Sequence, residues 1–375
     1  MKLLYVENAL AIYGGIERVL ADKLNWLAEY GACEVCLLTA SQGIHPIVFP
    51  LSPKVEFHDL GIMFHQVYCY SGWKRYYLLM RLHRLFRRRI AKMIQTFSPD
   101  VIVCTRLDCV YDVIKEKGSI PVVYESHDSF LAYTFENHGC LQKFRIKYLH
   151  HVLRKAQMII TLTKGDALEW KKINSHVQVI PNVVHLNDTG RYSDCQSKSA
   201  IFVGRYSYQK DIESLLQIWK LVNQRHPDWQ LNIYGGYGEQ QELLQSIIHR
   251  SGMNVVINQP TTFIFEEYLK SSILLMTSRY EPFGLVLPEA MSCGLPVIAF
   301  NCPYGPADII TDGQDGFLVK NRDINAFAEK VCLLIENPEL RKTMGQAGVQ
   351  SAQRYDVSRI MPIWKDLFEH LALQV

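Results

Sequence analysis

The stretch "EPFGLVLPEAM", residues 281–291, carries two glutamates eight positions apart, separated by a glycine, a proline and an apolar run. It follows "ILLMTSRY" (273–280), an apolar run of strand length. Pro288 suits the first turn of a helix, and Gly294 is a natural helix stop before "LPVIAF". The reading is strand, turn, helix, strand. It puts Glu281 at a strand exit and Glu289 in the first turn of the helix that follows.

The same alternation extends outward in both directions. Upstream, "KLLYVEN", "EVCLLTA", "DVIVCTR", "PVVYESHD" and "MIITLTK" are short buried strands with helical patterns between them, the first helix running from about Gly15 to Tyr30. After a polar stretch, "HLNDTGRYSDCQSKS" (185–199), which reads as a linker, the pattern restarts in "AIFVGRYSYQKD", "WQLNIYGGYGE", "VVIN", "SILLMTSRYEPFG", "PVIAF" and "GFLV". Alternation of this kind predicts parallel sheets covered on both faces by right-handed crossovers. With 375 residues, about twice a typical domain, the expected fold is α/β with two Rossmann-like, doubly wound domains in tandem.

Composition narrows the class. The apolar runs are strand-sized, so no transmembrane helix is expected, and the first strand lacks a cleavage-site pattern, which predicts a cytoplasmic protein. Ten cysteines scattered through apolar stretches suit buried free thiols, and the one CxxC, Cys33 to Cys36, has no second ligand pair at zinc spacing. Residues 1–190 carry a net charge of +6 and the remainder −3, so the front half is basic.

In doubly wound sheets ligands bind beyond the carboxyl ends of the strands. After the first strand come Tyr13, Gly14 and Gly15, whose backbone allows close approach of a ligand to the next helix N-terminus. After the first strand of the second half come Arg205 and Lys210, two cations five apart across a turn and suited to one diphosphate. "YGGYGE", with Gly235, Gly236 and Gly238, lacks the full dinucleotide spacing. The opening stretch then has a use: amides from Gly284 onward would face a phosphate, while Glu281 and Glu289 accept hydrogen bonds from hydroxyls on either side. A sugar nucleotide has that chemistry.

These motifs carry a resemblance. "EPFGLVLPEAMSCGLPVIA", preceded in order by "GGIE", "ESHD", "IPN" and "GRYSYQK" and followed by "GFLV", resembles the retaining GT-B glycosyltransferases of family 4 (glycosyl transferases group 1) over residues 14–319. The resemblance implies two Rossmann-like domains facing across a cleft, 1–188 with a returning C-terminal helix 356–375, and 189–355. It assigns Glu281 to donor-sugar hydroxyls and Glu289 to the nucleotide ribose, and gives diphosphate contacts to the backbone of Gly284, Leu285 and Val286 and to Arg205 and Lys210. Gly15 would approach the phosphates, and His127, at the exit of "VVYESHD", would touch the donor sugar. The implied reaction is departure of a nucleoside diphosphate from an anomeric carbon, with no cofactor and no metal. The absence of any Asp-x-Asp pair fits that expectation. A UDP-sugar is favoured over a GDP-sugar, with a glycan or lipid-linked acceptor in polysaccharide synthesis. A sugar-nucleotide epimerase, a phosphorylase and a non-catalytic nucleotide-sugar-binding protein are the alternatives. The chain departs from the family pattern at Val183, at Asp211, where glycine usually follows the lysine, and at Asp308, where glutamate is common.

One feature points outward. Leu60 to Pro99 contains no acidic residue, and at helical spacing Leu79, Leu82, Phe86, Ile90 and Met93 form one stripe opposite Arg81, Arg84, Arg88 and Lys92. Its two readings are a helix packed on the first sheet with a solvated charged side, and a surface for anionic lipid headgroups or acceptor at the inner membrane face. "YCYSGWKRYY" adds interface-type aromatics. No nucleic-acid-binding module is recognisable.

Overall fold

The computed structural model describes residues 1–130, 148–236, 248 and 252–373. The chain forms two compact units, Met1–Val183 with Ser358–Val375, and Val184–Val357.

The first unit is built on a seven-stranded sheet in the order β3-β2-β1-β4-β5-β6-β7. The strands are β1 (Lys2–Glu7), β2 (Glu34–Thr39), β3 (Val55–Asp59), β4 (Val101–Cys104), β5 (Val122–Glu125), β6 (Met158–Thr161) and β7 (Val177–Val179), all paired in parallel. Consecutive residues of β1, β2, β4 and β5 are buried, which requires cover on both faces and explains why they read as continuous apolar runs rather than as alternation. β3 ("VEFHD") and β7 ("VQV") escape the sequence reading because they are short edge strands, β3 exposed after Val55 and β7 half-buried throughout.

Helix Gly72–Phe97 covers one face of this sheet through Leu82, Phe86, Ile90, Ile94 and Phe97. The predicted stripe is therefore shifted: Leu79 and Met93 are only half-buried, because over 26 residues the buried face drifts around the helix. Helix Val357–Ala372 buries Ile360, Met361, Trp364, Leu367, Phe368 and Leu371, and from Ser358 it belongs to the first unit.

The second unit holds a six-stranded parallel sheet in the order β10-β9-β8-β11-β12-β13. Its strands are β8 (Ser199–Val203), β9 (Gln230–Tyr234), β10 (Val255–Asn258), β11 (Ile273–Met276), β12 (Val297–Asn301) and β13 (Gly316–Lys320). β11 is shorter than "ILLMTSRY" suggests. It stops where Thr277 turns its hydroxyl to the carbonyls of Lys210 (3.0 Å) and Asp211 (3.2 Å). The stretch 185–199 is not a free linker: Asn187 N donates to Ser292 Oγ, Ser193 N to Cys293 O, and Cys195 is buried. Its serines and asparagines satisfy backbone groups locally, so polarity here marks a packed coil.

Asp166 shows how the first unit supports its own strand exits. Its carboxylate accepts from Phe130 N (2.8 Å) and Trp170 Nε1 (2.9 Å), and burial pushes its pKa up to about 6 against those hydrogen bonds. A carboxyl that holds its proton more tightly folded than unfolded makes stability fall as pH rises from about 4 to about 6. Asp166→Asn should remove a slope on the order of 2–3 kcal/mol from that window, read as the pH dependence of Tm against the parent. Parallel curves for parent and variant would refute the assignment.

Candidate active site

In each sheet the strand order reverses direction at one place, between β1 and β4 in the first unit and between β8 and β11 in the second. Chains leaving adjacent parallel strands there turn to opposite faces and leave a crevice at the carboxyl edge.

In the second unit, the loop after β8 carries Arg205 and Lys210, and the loop after β11 carries Glu281. The structure brings Lys210 and Glu281 together: Nζ of Lys210 pairs with Oε1 of Glu281, and Ser278 Oγ donates to the same oxygen at 2.6 Å. Glu281 is 4% exposed, and its backbone is fixed by Glu281 N to Pro303 O (2.7 Å) and Gly305 N to Glu281 O (3.0 Å). Arg205 is exposed on the same loop. The sequence reading gave Lys210 to the diphosphate and Glu281 to the sugar; the ion pair between them was not expected.

Glu289 is held apart from that pair. It lies in the first turn of helix Val286–Ser292, buried, with Tyr268 Oη 3.3 Å from its Oε2. Gly284 adopts φ +98°, a conformation that suits glycine alone, and hands the chain to Leu285 and Val286, both half-buried at the helix start. A first helical turn leaves its amides without intrahelical partners, so this backbone is the natural place for an anion's oxygens. Gly305 has a different duty: a Cβ there would stand 1.9 Å from Phe283 O, so the loop after β12 can only meet the Glu281 loop through glycine. Gly235 likewise packs, with its missing Cβ 2.0 Å from Gly204 O, and Gly238 lies outside the described residues.

Asp211 explains one departure from the family pattern. It takes the left-handed conformation (φ 50°, ψ 55°) that glycine would supply, then uses its carboxylate. The carboxylate caps helix Ile212–Arg225 through Ser214 N (3.4 Å) and Oγ (2.7 Å), and receives Arg279 Nη2 (2.8 Å) and Arg322 Nη1 (2.5 Å). The loop bearing Lys210 is thereby tied to the exits of β11 and β13. Tyr268, Arg279 and Arg322 were missed because their partners are distant in sequence; Ser278, three residues before Glu281, was not singled out although its partner is local.

In the first unit, Gly15 opens helix Gly15–Glu29 beyond β1, and His127 follows β5. His127 is buried, with Nε2 3.2 Å from Glu125 Oε1. At the β1/β4 reversal stands Glu7, buried and hydrogen-bonded by Thr105 Oγ1; burial raises its pKa, against the Thr105 hydrogen bond and the charge of Arg106. Neither Glu7 nor Thr105 belongs to a motif singled out in the sequence.

On helix Gly72–Phe97, Arg81, Arg84, Arg88 and Lys92 are all exposed. Two neighbouring arginines are used internally, Arg87 on Glu116 (2.5 Å) and Arg89 on the carbonyl of Leu60. Around the helix start Tyr68, Tyr70, Trp73, Tyr76 and Tyr77 are exposed. Cys33 and Cys36 are free and buried, without a bond between them. Among the described residues no helix is long and apolar enough to cross a membrane.

Known proteins place this architecture. The structure superposes on sucrose-phosphate synthase from Thermosynechococcus elongatus (TM-score 0.82, 18% identity, 100% of each chain). It also superposes on Anabaena HepE solved with UDP (TM-score 0.77, 18% identity, 99% of this chain and 100% of that one). The fold is GT-B. The profile described as Glycosyl transferases group 1 matches residues 193–351, and that described as Glycosyltransferase Family 4 matches residues 13–188. The chain belongs to the group 1 GT-B family. Among curated relatives, the amylovoran biosynthesis glycosyltransferase AmsD of Erwinia amylovora is 35% identical over 221 residues, 56% of this chain and 62% of the relative. The matched span is thus under two thirds of that relative's length.

The Asp211 arrangement makes a ranked prediction. Asp211→Asn keeps a residue tolerant of positive φ, Asp211→Gly keeps the backbone but loses cap and ion pairs, and Asp211→Ala loses both. Tm should fall in that order, with alanine about 1 kcal/mol below glycine from the left-handed strain. Alanine as stable as glycine would show that the backbone conformation is not what the position demands.

Proposed function

We propose that the chain is a retaining, metal-independent glycosyltransferase. It would move a hexose-type sugar from a nucleoside diphosphate to a glycan or lipid-linked acceptor in cell-surface polysaccharide synthesis. The observation that carries this reading is the meeting of Lys210 and Glu281 at the β8/β11 reversal, with the Gly284 to Val286 backbone beginning a helix three residues on.

The arrangement suits a reaction in which negative charge grows on a departing diphosphate. An arriving diphosphate competes with Glu281 for the ammonium of Lys210, and Arg205, exposed on the same loop, adds a second cation. Glu281, released from Lys210 but still held by Ser278, then accepts hydrogen bonds from sugar hydroxyls near the anomeric carbon. Two cations and a fixed set of amides stabilise the leaving group in place of a metal, a preorganised electrostatic effect typically worth several kcal/mol. Glu289, oriented by Tyr268, is placed to take the ribose hydroxyls. UDP as the nucleotide is supported by the HepE complex, and polysaccharide synthesis by the named role of AmsD.

Isothermal titration with UDP and GDP, with and without EDTA, tests the site. Binding of UDP should be unaffected by EDTA. Lys210→Ala and Glu289→Ala should each weaken it about tenfold or more, whereas Glu281→Ala should lower turnover more than affinity. UDP binding that survives Glu289→Ala unchanged would remove the ribose assignment, and binding abolished by EDTA would remove metal independence.

The cationic helix supports work at the inner face of a membrane. Among the described residues Arg81, Arg84, Arg88 and Lys92 make none of the internal pairings that occupy Arg87 and Arg89, and each cation near an anionic surface is worth on the order of 1 kcal/mol. In co-sedimentation with phosphatidylglycerol-containing vesicles, Arg84→Glu with Arg88→Glu should reduce binding at least tenfold, and neutral vesicles should bind neither protein. Equal sedimentation of parent and variant would rule this surface out.

A further inference from the structure

The outer edge of the first sheet gathers three side chains that the donor site does not use. β2 and β3 pair in parallel with Cys36 opposite Glu56 and Leu38 opposite His58. Side chains two apart on a strand share a face, so Glu56 and His58 project to the side on which Cys36 lies. One ligand atom from each, a thiol sulfur, a carboxylate oxygen and an imidazole nitrogen, falls within 4.8 Å of the other two. Glu56 and His58 meet at 2.6 Å, with side chains 53% and 44% exposed. Cys36 is fully buried, in the apolar cluster that holds Phe86 and Ile90, and among the described residues its thiol makes no hydrogen bond.

Core packing accounts for a buried cysteine, and a surface pairing accounts for a histidine beside a glutamate. Neither sets the one against the other; the strand register does. The CxxC spacing plays no part. Cys33 precedes β2, its thiol donates to Gly31 O at 3.4 Å, and the charges that act on it are the amino terminus, Lys365 and Glu369, whereas the charge that acts on Cys36 is Glu56.

We propose that Cys36, Glu56 and His58 form a site for one zinc ion, which clips the edge strand β3 to β2. The donor set selects the ion: a thiolate with an imidazole favours Zn2+ over Mg2+ or Ca2+, which prefer oxygen ligands alone. With bonds of about 2.0–2.3 Å, tetrahedral zinc needs ligand atoms roughly 3.3–3.7 Å apart, so a movement on the order of 1 Å completes the site. Glu56 and His58 are able to make it, since among the described residues neither side chain is held by any group but the other. Solvent takes the fourth position, as in zinc sites with three protein ligands. Thiolate and carboxylate together cancel the charge of the ion, which leaves a neutral centre at the border of the core. Burial and the charge of Glu56 push the Cys36 thiol up to about 12, so one ion bound displaces one proton from sulfur to solvent. β3 is paired on one side only and gains a second tie to its neighbour. Both strands lie outside the β1/β4 reversal, and the site is independent of the glycosyltransferase reading.

Cobalt substitution reads the ligands directly. The metal-free full chain titrated with Co2+ should develop thiolate-to-cobalt charge-transfer absorption that saturates at one equivalent and is bleached by Zn2+. Cys36→Ser should abolish the band, while Cys33→Ser and Cys69→Ser, which alter the CxxC partner and the exposed thiol, should keep it. In isothermal titration with Zn2+, Glu56→Ala and His58→Ala, at exposed positions where substitution leaves the core intact, should each weaken binding about tenfold or more. Zn2+ should raise the Tm of the parent and leave that of Cys36→Ser unchanged. Absence of the band in the parent, a band that survives Cys36→Ser or vanishes with Cys69→Ser, or equal Zn2+ affinity in parent and His58→Ala overturns the proposal.

Discussion

Parallel pairing constrains everything else in this protein. A strand that must be followed by another running the same way cannot be joined by a tight turn, so the chain returns through a helix after nearly every strand. Both faces of each sheet are then covered, the strands become apolar throughout, and polar side chains are driven to the strand ends. Most of the residues discussed sit at such an end or in the loop or helix start beyond it, Glu7, Glu125 and His127 in one unit and Lys210, Asp211, Glu281 and Glu289 in the other, while Lys23 and Tyr268 reach those ends from neighbouring helices.

Buried charge at those ends is handled in the same way in both units. A carboxylate withdrawn from water must be met by donors or cations. Glu281 is met by Lys210 and Ser278, Asp211 by Arg279, Arg322 and its own helix N-terminus, and Glu125 by Lys23. Burial raises the carboxyl of Glu125, but Lys23 and His127 outweigh it and hold the group below the usual carboxylate range. Arg106 stands 4.0 Å from Glu7, and there burial outweighs its charge and raises the carboxyl. Two carboxyls at the ends of β1 and β5, with β4 between them, are thus pushed in opposite directions by their surroundings. That separation is typical of sites that move or orient protons.

Much of the site was legible because its residues are carried by motifs of fixed local geometry. A strand, a glycine turn and a helix start place Glu281, Gly284 and Glu289 within nine residues, and no distant contact is needed to order them. Asp211 shows the limit of that logic. As a departure from the glycine pattern it reads as a loss, yet in three dimensions it keeps the left-handed backbone and gains two arginine partners, one of them 111 residues away. Lys23 left a faint trace in the sequence, a charge on the otherwise apolar face of an amphipathic helix, but nothing local says that Glu125 or Trp364 will meet it.

The sequence by itself determined the alternation of strands and helices, the α/β class, the exposed cationic face of the Gly72–Phe97 helix, and the strand-exit position of the main site residues. These follow from periodicity, glycine and proline placement, and motif spacing, all of which act within one or two turns of chain. Only the tertiary structure decided the edge strands β3 and β7, the packed role of residues 185–199, the pairing of Lys210 with Glu281, and the Lys23, Glu125 and His127 cluster. Those depend on which strand ends become neighbours and which helix closes over them. In a sheet whose order is not its sequence order, that proximity is set by crossovers and not by distance along the chain.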